Sequence, residues 1–220
     1  TERVARYLQS KTPFRVGEDI YLAFCPERLS PGKALEELEE VPQIIGSLDE
    51  ESAQKAKNLF GRINRNLMFT DARSAELAKL FTNMYRYINF AIANEFMMLA
   101  QDQERNIHEI VDLVNRGYKR GGLKSPGFSA GPCLYKDGFF LINDSSFPEL
   151  ITTAWKINES TPDYLIKKIK SQRNLVGENV ALLGLSYRAD VDDFRSSLSY
   201  RAKKRLESEG ALVRTHDPFI

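Results

Sequence analysis

Cys133 is the residue in this 220-residue chain best suited by its surroundings to covalent chemistry. It stands in Gly131-Pro132-Cys133-Leu134-Tyr135-Lys136-Asp137, at the exit of a glycine-rich, cationic stretch. A thiol presented by a Gly-Pro turn, near cationic side chains and a helix start, has surroundings of the kind that favour the nucleophilic thiolate. Asp137, four residues on, would share a helix face with it and could orient a water or carry a proton. A small buried residue at a helix start has the same appearance, so both readings stand at this point. Lys79 and Asn83 are one helical turn apart, with Arg86 on the same stripe. An ammonium and an amide there either donate to an oxyanion or point to solvent.

Two further motifs carry charge. Cys25-Pro26-Glu27-Arg28-Leu29-Ser30-Pro31-Gly32 takes a carboxylate from a strand end into a Pro/Gly loop, where open α/β sheets put functional groups; a surface Glu–Arg pair is the alternative. Arg188, Asp192, Asp193 and Arg195 form a loop past the strand end at Gly184, fit to contact a phosphate or simply solvated. His108 and His216 are isolated, and no His/Cys cluster has metal-ligand spacing, so no metal is expected.

The elements that must position these residues follow from pattern. Residues 1–12 read as a helix from Val4, Ala5 and Leu8. Residues 20–25 form an apolar run of strand length that ends at Pro26. Residues 44–46 and 67–69 are short strands, and Ser47 with Glu50 gives a capping box opening a helix through about residue 64, with Ala53, Ala56 and Phe60 on one face. From 71 to about 104 no proline or glycine interrupts the chain, giving a helix roughly 50 Å long. Its apolar residues occupy more than one stripe, Leu77, Phe81, Met84 and Ile88 on one and Leu80, Tyr87, Ala91 and Met98 on another, so several neighbours or a second subunit must bury it.

Residues 107–114 and 149–172 supply two more helices. Between them, residues 117–131 hold five glycines and the cations Lys119, Arg120 and Lys124, just after Arg116, with almost no periodicity; loops of that length are functional or disordered. A strand at 179–185, a helix at 197–209 closed by Gly210 and a strand at 212–215 make a β-α-β unit, the start of a parallel sheet. It has one glycine at the strand end rather than Gly-x-Gly-x-x-Gly, which supports a dinucleotide site there only weakly. A chain that opens inside a helix and stops just after a strand reads as a piece of a longer protein, with a small protein of ragged ends as the alternative.

Thirty-one Lys+Arg against 30 Asp+Glu leave a net charge of +1, which offers nucleic acid no global basic field. No apolar run reaches membrane-span length and no signal-like segment opens the chain, so no membrane partner is expected. Two cysteines are too few for a disulfide scaffold and suit a reducing, cytoplasmic compartment.

Taken in order, Cys-Pro-Glu-Arg-x-x-Pro-Gly, Glu-Leu-Ala-Lys-x-x-x-Asn, Gly-Pro-Cys-Leu-x-Lys-Asp and Leu-Gly-Leu-Ser-Tyr-Arg-x-x-x-Asp-Asp-x-Arg resemble the NAD-dependent nucleotide-sugar 6-dehydrogenases, the UDP-glucose and UDP-N-acetylmannosamine dehydrogenases. Four collinear motifs over nearly the whole chain make the resemblance specific, and Pro31, where the UDP-glucose branch usually has a second acidic residue, places it nearer the UDP-N-acetylhexosamine branch. Tyr135 stands where proline or a polar residue is commoner, and Arg188 where lysine is usual.

The resemblance implies a fold that is mainly α with α/β flanks. A central helical dimerisation domain with a long helix would lie between the end of one Rossmann-like domain and the start of a second. The expected boundaries are residues 1–70 for a remnant of the NAD-binding domain, 71–172 for the central domain with the cysteine loop, and 173–220 for the first β-α-β unit of the nucleotide-sugar domain. The glycine-fingerprinted N-terminal Rossmann domain is expected to be missing, and the chain alone to be inactive for want of a holder for NAD.

The resemblance also implies a mechanism. NAD oxidises the 6-hydroxyl of a UDP-sugar to an aldehyde, Cys133 forms a thiohemiacetal, a second oxidation gives a thioester, and water releases the uronate. Lys79 and Asn83 would serve the oxyanion, Asp137 the water and proton traffic, and Glu27 thioester hydrolysis. Arg120 would reach the sugar from a partner subunit, since a homodimer through the helix at 71–104 is expected. Phe128 and Gly131 would follow the substrate, with Arg188 near substrate and Arg195 near the cofactor. Two other readings compete: a hydroxyacid or 6-phosphogluconate-type dehydrogenase, which makes one two-electron step without a thiol, and a non-catalytic helical dimerisation module.

Overall fold

In the computed structural model, residues 1–143 and 145–220 are described. They divide into two compact units, Thr1–Thr82 and Asn83–Ile220.

The first unit holds α1 (Glu2–Lys11), β1 (Ala23–Phe24), α2 (Ala34–Glu40), β2 (Gln43–Ser47), α3 (Glu50–Phe60) and β3 (Leu67–Asp71), followed by the start of α4 (Ala72–Asp102). β2 and β3 run parallel, in register from Gln43 opposite Leu67 to Ser47 opposite Asp71. β1 joins antiparallel through Ala23 opposite Ser47 and Phe24 opposite Gly46. The apolar run from residue 20 thus yields only two ladder residues, because Pro26 has no N–H to extend the pairing.

The helix cap also differs from the expected box. Ser47 is the last residue of β2, and Asp49 caps α3 instead, accepting from Ser52 N at 2.7 Å and Ser52 Oγ at 2.8 Å. α2, rich in glutamate, has no counterpart in the apolar pattern. Gly46 lets β2 pass under the first turn of α4: a Cβ there would lie 2.3 Å from Ala75 Cβ, so no larger residue fits.

The second unit takes up α4 from Asn83 and adds α5 (Ile107–Asn115), α6 (Leu134–Ile142), α7 (Glu149–Gln172), β4 (Asn179–Leu183), α8 (Leu198–Ser208) and β5 (Leu212–His216). β4 and β5 pair in parallel across the α8 crossover. Ser197 caps α8, accepting from Ser199 N, and Gly210 with φ 86° ends the helical segment. α7 continues through Pro162 without a break.

Two apolar clusters make the core of this unit. Ile166, Leu175, Ala202, Leu206 and Ala211 gather under β4 and β5, with Phe128 packed against them. Met97, Ala100, Ile107 and Val111 join α4 to α5, with Leu123 against them. α4 buries Ala72, Ala75, Met84, Tyr87 and Ala91 and leaves Leu77, Phe81, Tyr85, Ile92, Phe96 and Leu99 exposed. The first expected stripe is therefore split, with Leu77 and Phe81 outside and Met84 inside. No helix among the described residues is long and apolar enough to cross a membrane.

Candidate active site

The second unit assembles the thiol site. The Gly-Pro turn makes Cys133 the N-cap of α6, with its residue exposed, and Lys136 N and Asp137 N close the first turn onto Cys133 O at 3.2 and 3.0 Å. That end of a helix carries the unpaired N–H groups and the positive end of the backbone dipole. One turn along, Asp137 is buried, and its Oδ2 accepts from Asn83 Nδ2 at 2.6 Å. Asn83 is itself only 5% exposed, so its amide faces inward, whereas Arg86 on the same stripe is exposed.

The loop before Cys133 has an anchored half and a free half. Asn115 clamps Leu123 from both sides, its Oδ1 accepting from Leu123 N at 2.8 Å and its Nδ2 donating to Leu123 O at 3.0 Å. Gly127 N donates to Asn94 Oδ1 at 2.8 Å, and Phe128 packs on the apolar cluster of α7 and α8. Gly131 has φ 109°, and its Cβ position lies 2.9 Å from the Tyr187 ring, so this turn requires glycine on both counts. Upstream, Arg120 is exposed, with its guanidinium 4.9 Å from the centre of the Tyr118 ring.

Tyr187 comes from the charged loop after β4 and was not singled out by pattern. Its N–H donates to Asp193 O at 3.0 Å, and burial, then the Asp193 charge, push its phenol up. The Cys133 sulfur lies within electrostatic reach of both Tyr187 and Arg195. Arg195 is exposed and forks onto Asp193, Nε to Oδ1 at 3.0 Å and Nη2 to Oδ2 at 2.7 Å, holding that carboxyl below its ordinary range. Arg188 is exposed, and its carbonyl accepts from Ser186 Oγ at 2.7 Å. Asp217, past β5, fixes the loop's first residues. Its carboxylate accepts from Ser186 N, Leu185 N and Phe219 N, and these bonds hold its pKa down to about 2.

The first unit brings Glu27 and Lys79 together. Lys79 Nζ donates to the main-chain carbonyl of Glu27 at 2.5 Å, while the exposed Glu27 carboxylate accepts from Leu29 N. Sheet topology gives this placement a different basis from the one expected. β1 is antiparallel to β2, so Glu27 leaves at the amino ends of β2 and β3, not in a crevice at parallel carboxyl ends. Arg28 is spent on Pro42 O, and Ser30 N donates to Glu37 Oε2 at 2.6 Å. Cys25 is half-buried, and burial pushes its thiol up.

NAD would ask for a glycine-marked strand end open to its diphosphate. Gly46, at the β2–β3 pair, is already filled by Ala75 of α4 and does not fit that demand. The residues of both clusters instead have the chemistry of the substrate side of an oxidation: a thiol, carboxylates, an ammonium and an amide. Among the described residues there is no group of three His, Cys, Asp or Glu side chains able to hold a metal ion.

Comparison with known proteins places these clusters in one family. Three of its domain models match in order: the NAD binding domain over residues 1–64, the central domain over 73–160 and the UDP binding domain over 181–220. The chain belongs to the UDP-glucose/GDP-mannose dehydrogenase family. It is 36% identical over 201 residues to UDP-N-acetyl-D-mannosamine dehydrogenase of Methanocaldococcus jannaschii, covering 91% of this chain and 47% of the relative. The solved UDP-D-ManNAc dehydrogenase of Pyrococcus horikoshii matches with TM-score 0.91 and 34% identity, over 100% of this chain and 54% of that one. A UDP-glucose dehydrogenase from Pyrobaculum islandicum matches with TM-score 0.85 and 26% identity, over 98% and 51%.

The chain spans about half the length of the relatives it matches. The match over residues 1–64, which holds α1 to α3, corrects in part the expectation that the chain lacks the N-terminal Rossmann domain: a stretch of the NAD-binding domain lies within it.

Asn94, Asn158 and Tyr187 are the residues that pattern reading passed over. The first two sit on helices, where a lone polar residue adds nothing to the apolar period. Tyr187 lies between Ser186 and Arg188 in the charged loop, and its own side chain carries no charge to mark it.

Proposed function

We propose that the chain is part of a UDP-sugar 6-dehydrogenase of the UDP-N-acetylhexosamine branch, with UDP-N-acetylmannosamine as its substrate and the sugar 6-carboxylate as its product. The electrons leave C6 as two hydrides, the chemistry NAD supplies when bound. Cys133 Sγ adds to the C6 aldehyde, and the adduct, once oxidised, is a thioester that water cleaves to restore the thiol. Asp137 orients that water and takes its proton, with its carboxylate kept in place by Asn83. Lys79 donates to the C6 oxygen, and Glu27 assists hydrolysis.

Phe128 and Gly131 shape the substrate loop, Arg188 meets the diphosphate, and Arg195 faces the cofactor as half of its ion pair with Asp193. The exposed apolar stripe of α4 is buried in a homodimer, from whose second copy Arg120 reaches the sugar. The enzyme works in the cytoplasm.

One observation carries this reading: an exposed thiol at the N-cap of α6 is followed one turn along by a buried carboxylate that an amide from another motif holds at 2.6 Å. The test joins this segment to a complete NAD-binding domain and follows NADH and uronate from UDP-N-acetylmannosamine. Two NADH per uronate, with Cys133→Ser abolishing uronate, is the expected result. Turnover unchanged by Cys133→Ser would favour a one-step hydroxyacid-type dehydrogenase.

A further inference from the structure

One face of α4 holds the cysteine segment from both sides. Asn83 and Asn94 are eleven residues apart, which returns a helix to nearly the same direction. Asn83 bonds Asp137, four residues after Cys133, and Asn94 bonds the main chain of Gly127, six residues before it. We propose that Asn94 is a positioning residue for Cys133, acting through a relay of buried amides that it forms with Asn158.

The relay runs through three hydrogen bonds. Asn158 Nδ2, on α7, donates to Tyr87 O of α4 at 3.0 Å. Asn94 Nδ2 donates to Asn158 Oδ1 at 2.9 Å, which leaves Asn94 Oδ1 turned toward the loop, where Gly127 N donates to it at 2.8 Å. Both asparagines are 0% exposed. Two amides in such a place are costly unless every bond is made, and an apolar pair would pack the same helices without that requirement. The bond to Gly127 supplies what packing does not, because nothing lies within 4 Å of the Cβ position of Gly127. Main chain at that point is held by the asparagine. Phe128 and Gly131 then take up the remaining length to Cys133 between the apolar cluster and the Tyr187 ring.

That the held atom matters for turnover rests on the proposed function; that Asn94 holds it does not, so the test uses no turnover. Amide exchange across residues 125–136 and the rate of Cys133 alkylation by iodoacetamide are compared in the wild-type chain, Asn94→Leu, Asn94→Asp and Asn64→Ala. Asn64 is another buried asparagine, in the first unit, bonded to Leu38 O and Val41 O, and controls for general destabilisation.

Asn94→Leu is expected to speed exchange at Gly127 about tenfold and raise Cys133 alkylation about threefold, as loss of the bond that holds Gly127 implies. Asn94→Asp keeps an acceptor for Gly127 but loses the donor to Asn158 Oδ1, so it restores protection there only in part, and Asn64→Ala leaves both readouts at wild type. If Asn94→Leu does not fold, Asn158→Asp carries the test: it keeps the acceptor for Asn94 but loses the donor to Tyr87 O, and a smaller loosening of the same segment is expected. Wild-type exchange and alkylation in the folded variant, or equal changes in Asn64→Ala, overturn the proposal. Either result leaves the Cys133→Ser uronate assay to decide the function on its own.

Discussion

The chain's two cysteines each stand beside a proline, Cys25 before Pro26 and Cys133 after Pro132, yet they are set in opposite surroundings. Cys25 follows β1, half-buried, with its thiol pushed up by burial, so it stays protonated at neutral pH. Cys133 is exposed at the N-cap of α6, one turn before the Asp137 that Asn83 holds, and near the loop of Tyr187 and Arg195. Local sequence gives both a turn-forming proline. What separates them is the element that follows: a loop leading toward α2 in one case, the first turn of α6 in the other.

The largest expected effect breaks this comparison at the level of activity. In a protein with a complete NAD-binding domain, Cys133→Ser should lower uronate formation by about a thousandfold or more, as for loss of a covalent nucleophile. Cys25→Ser should leave the rate within about threefold; a comparable loss from Cys25→Ser would remove the distinction.

A smaller effect sharpens it. At pH 7, iodoacetamide should label Cys133 about tenfold faster than Cys25, because one thiol is exposed and the other half-buried and kept protonated. Peptide mass mapping reads both, on residues 125–136 and 16–28. Next, Asn83→Ala leaves the buried Asp137 carboxylate without its amide and should destabilise the second unit by about 1–3 kcal/mol, measured by urea unfolding. Asn83→Asp, which sets two carboxylates face to face, should be worse at pH 7 and improve as the pH falls.

The smallest effect concerns the loop beside Cys133. Asp217 has a folded pKa of about 2, below the value of about 3.9 in an unfolded chain. Its contribution is complete above that unfolded value and is lost as the pH falls through about 2. The protection of Leu185 and Ser186 relative to an unstructured amide should therefore fall over that window, and Asp217→Asn should remove the dependence.

Much of this was legible from sequence, for identifiable reasons. α7 and the β4–α8–β5 unit follow from periodicity, a capping serine and a closing glycine, all of which act within a few residues. The placement of Cys133 at a helix start and of Asp137 one turn on followed from spacing alone. Long-range choices were not legible: that Asp49 rather than Ser47 caps α3 depends on Ser47 being paired in a sheet, and that Lys79 meets the carbonyl of Glu27 rather than its carboxylate depends on the course of the loop. The buried asparagines escaped because a polar residue inside a helix gives no periodic signal, and its partners lie 33 and 64 residues away.

The central claim is that Cys133 bonds covalently to the sugar carbon being oxidised. Acid quenching during turnover of UDP-N-acetylmannosamine with NAD, followed by mass measurement of the peptide of residues 125–136, tests it most directly. The account predicts a hexosaminuronyl adduct on Cys133 that accumulates when Asp137→Asn slows hydrolysis. Uronate produced at full rate with no adduct on that peptide, in either protein, would contradict it.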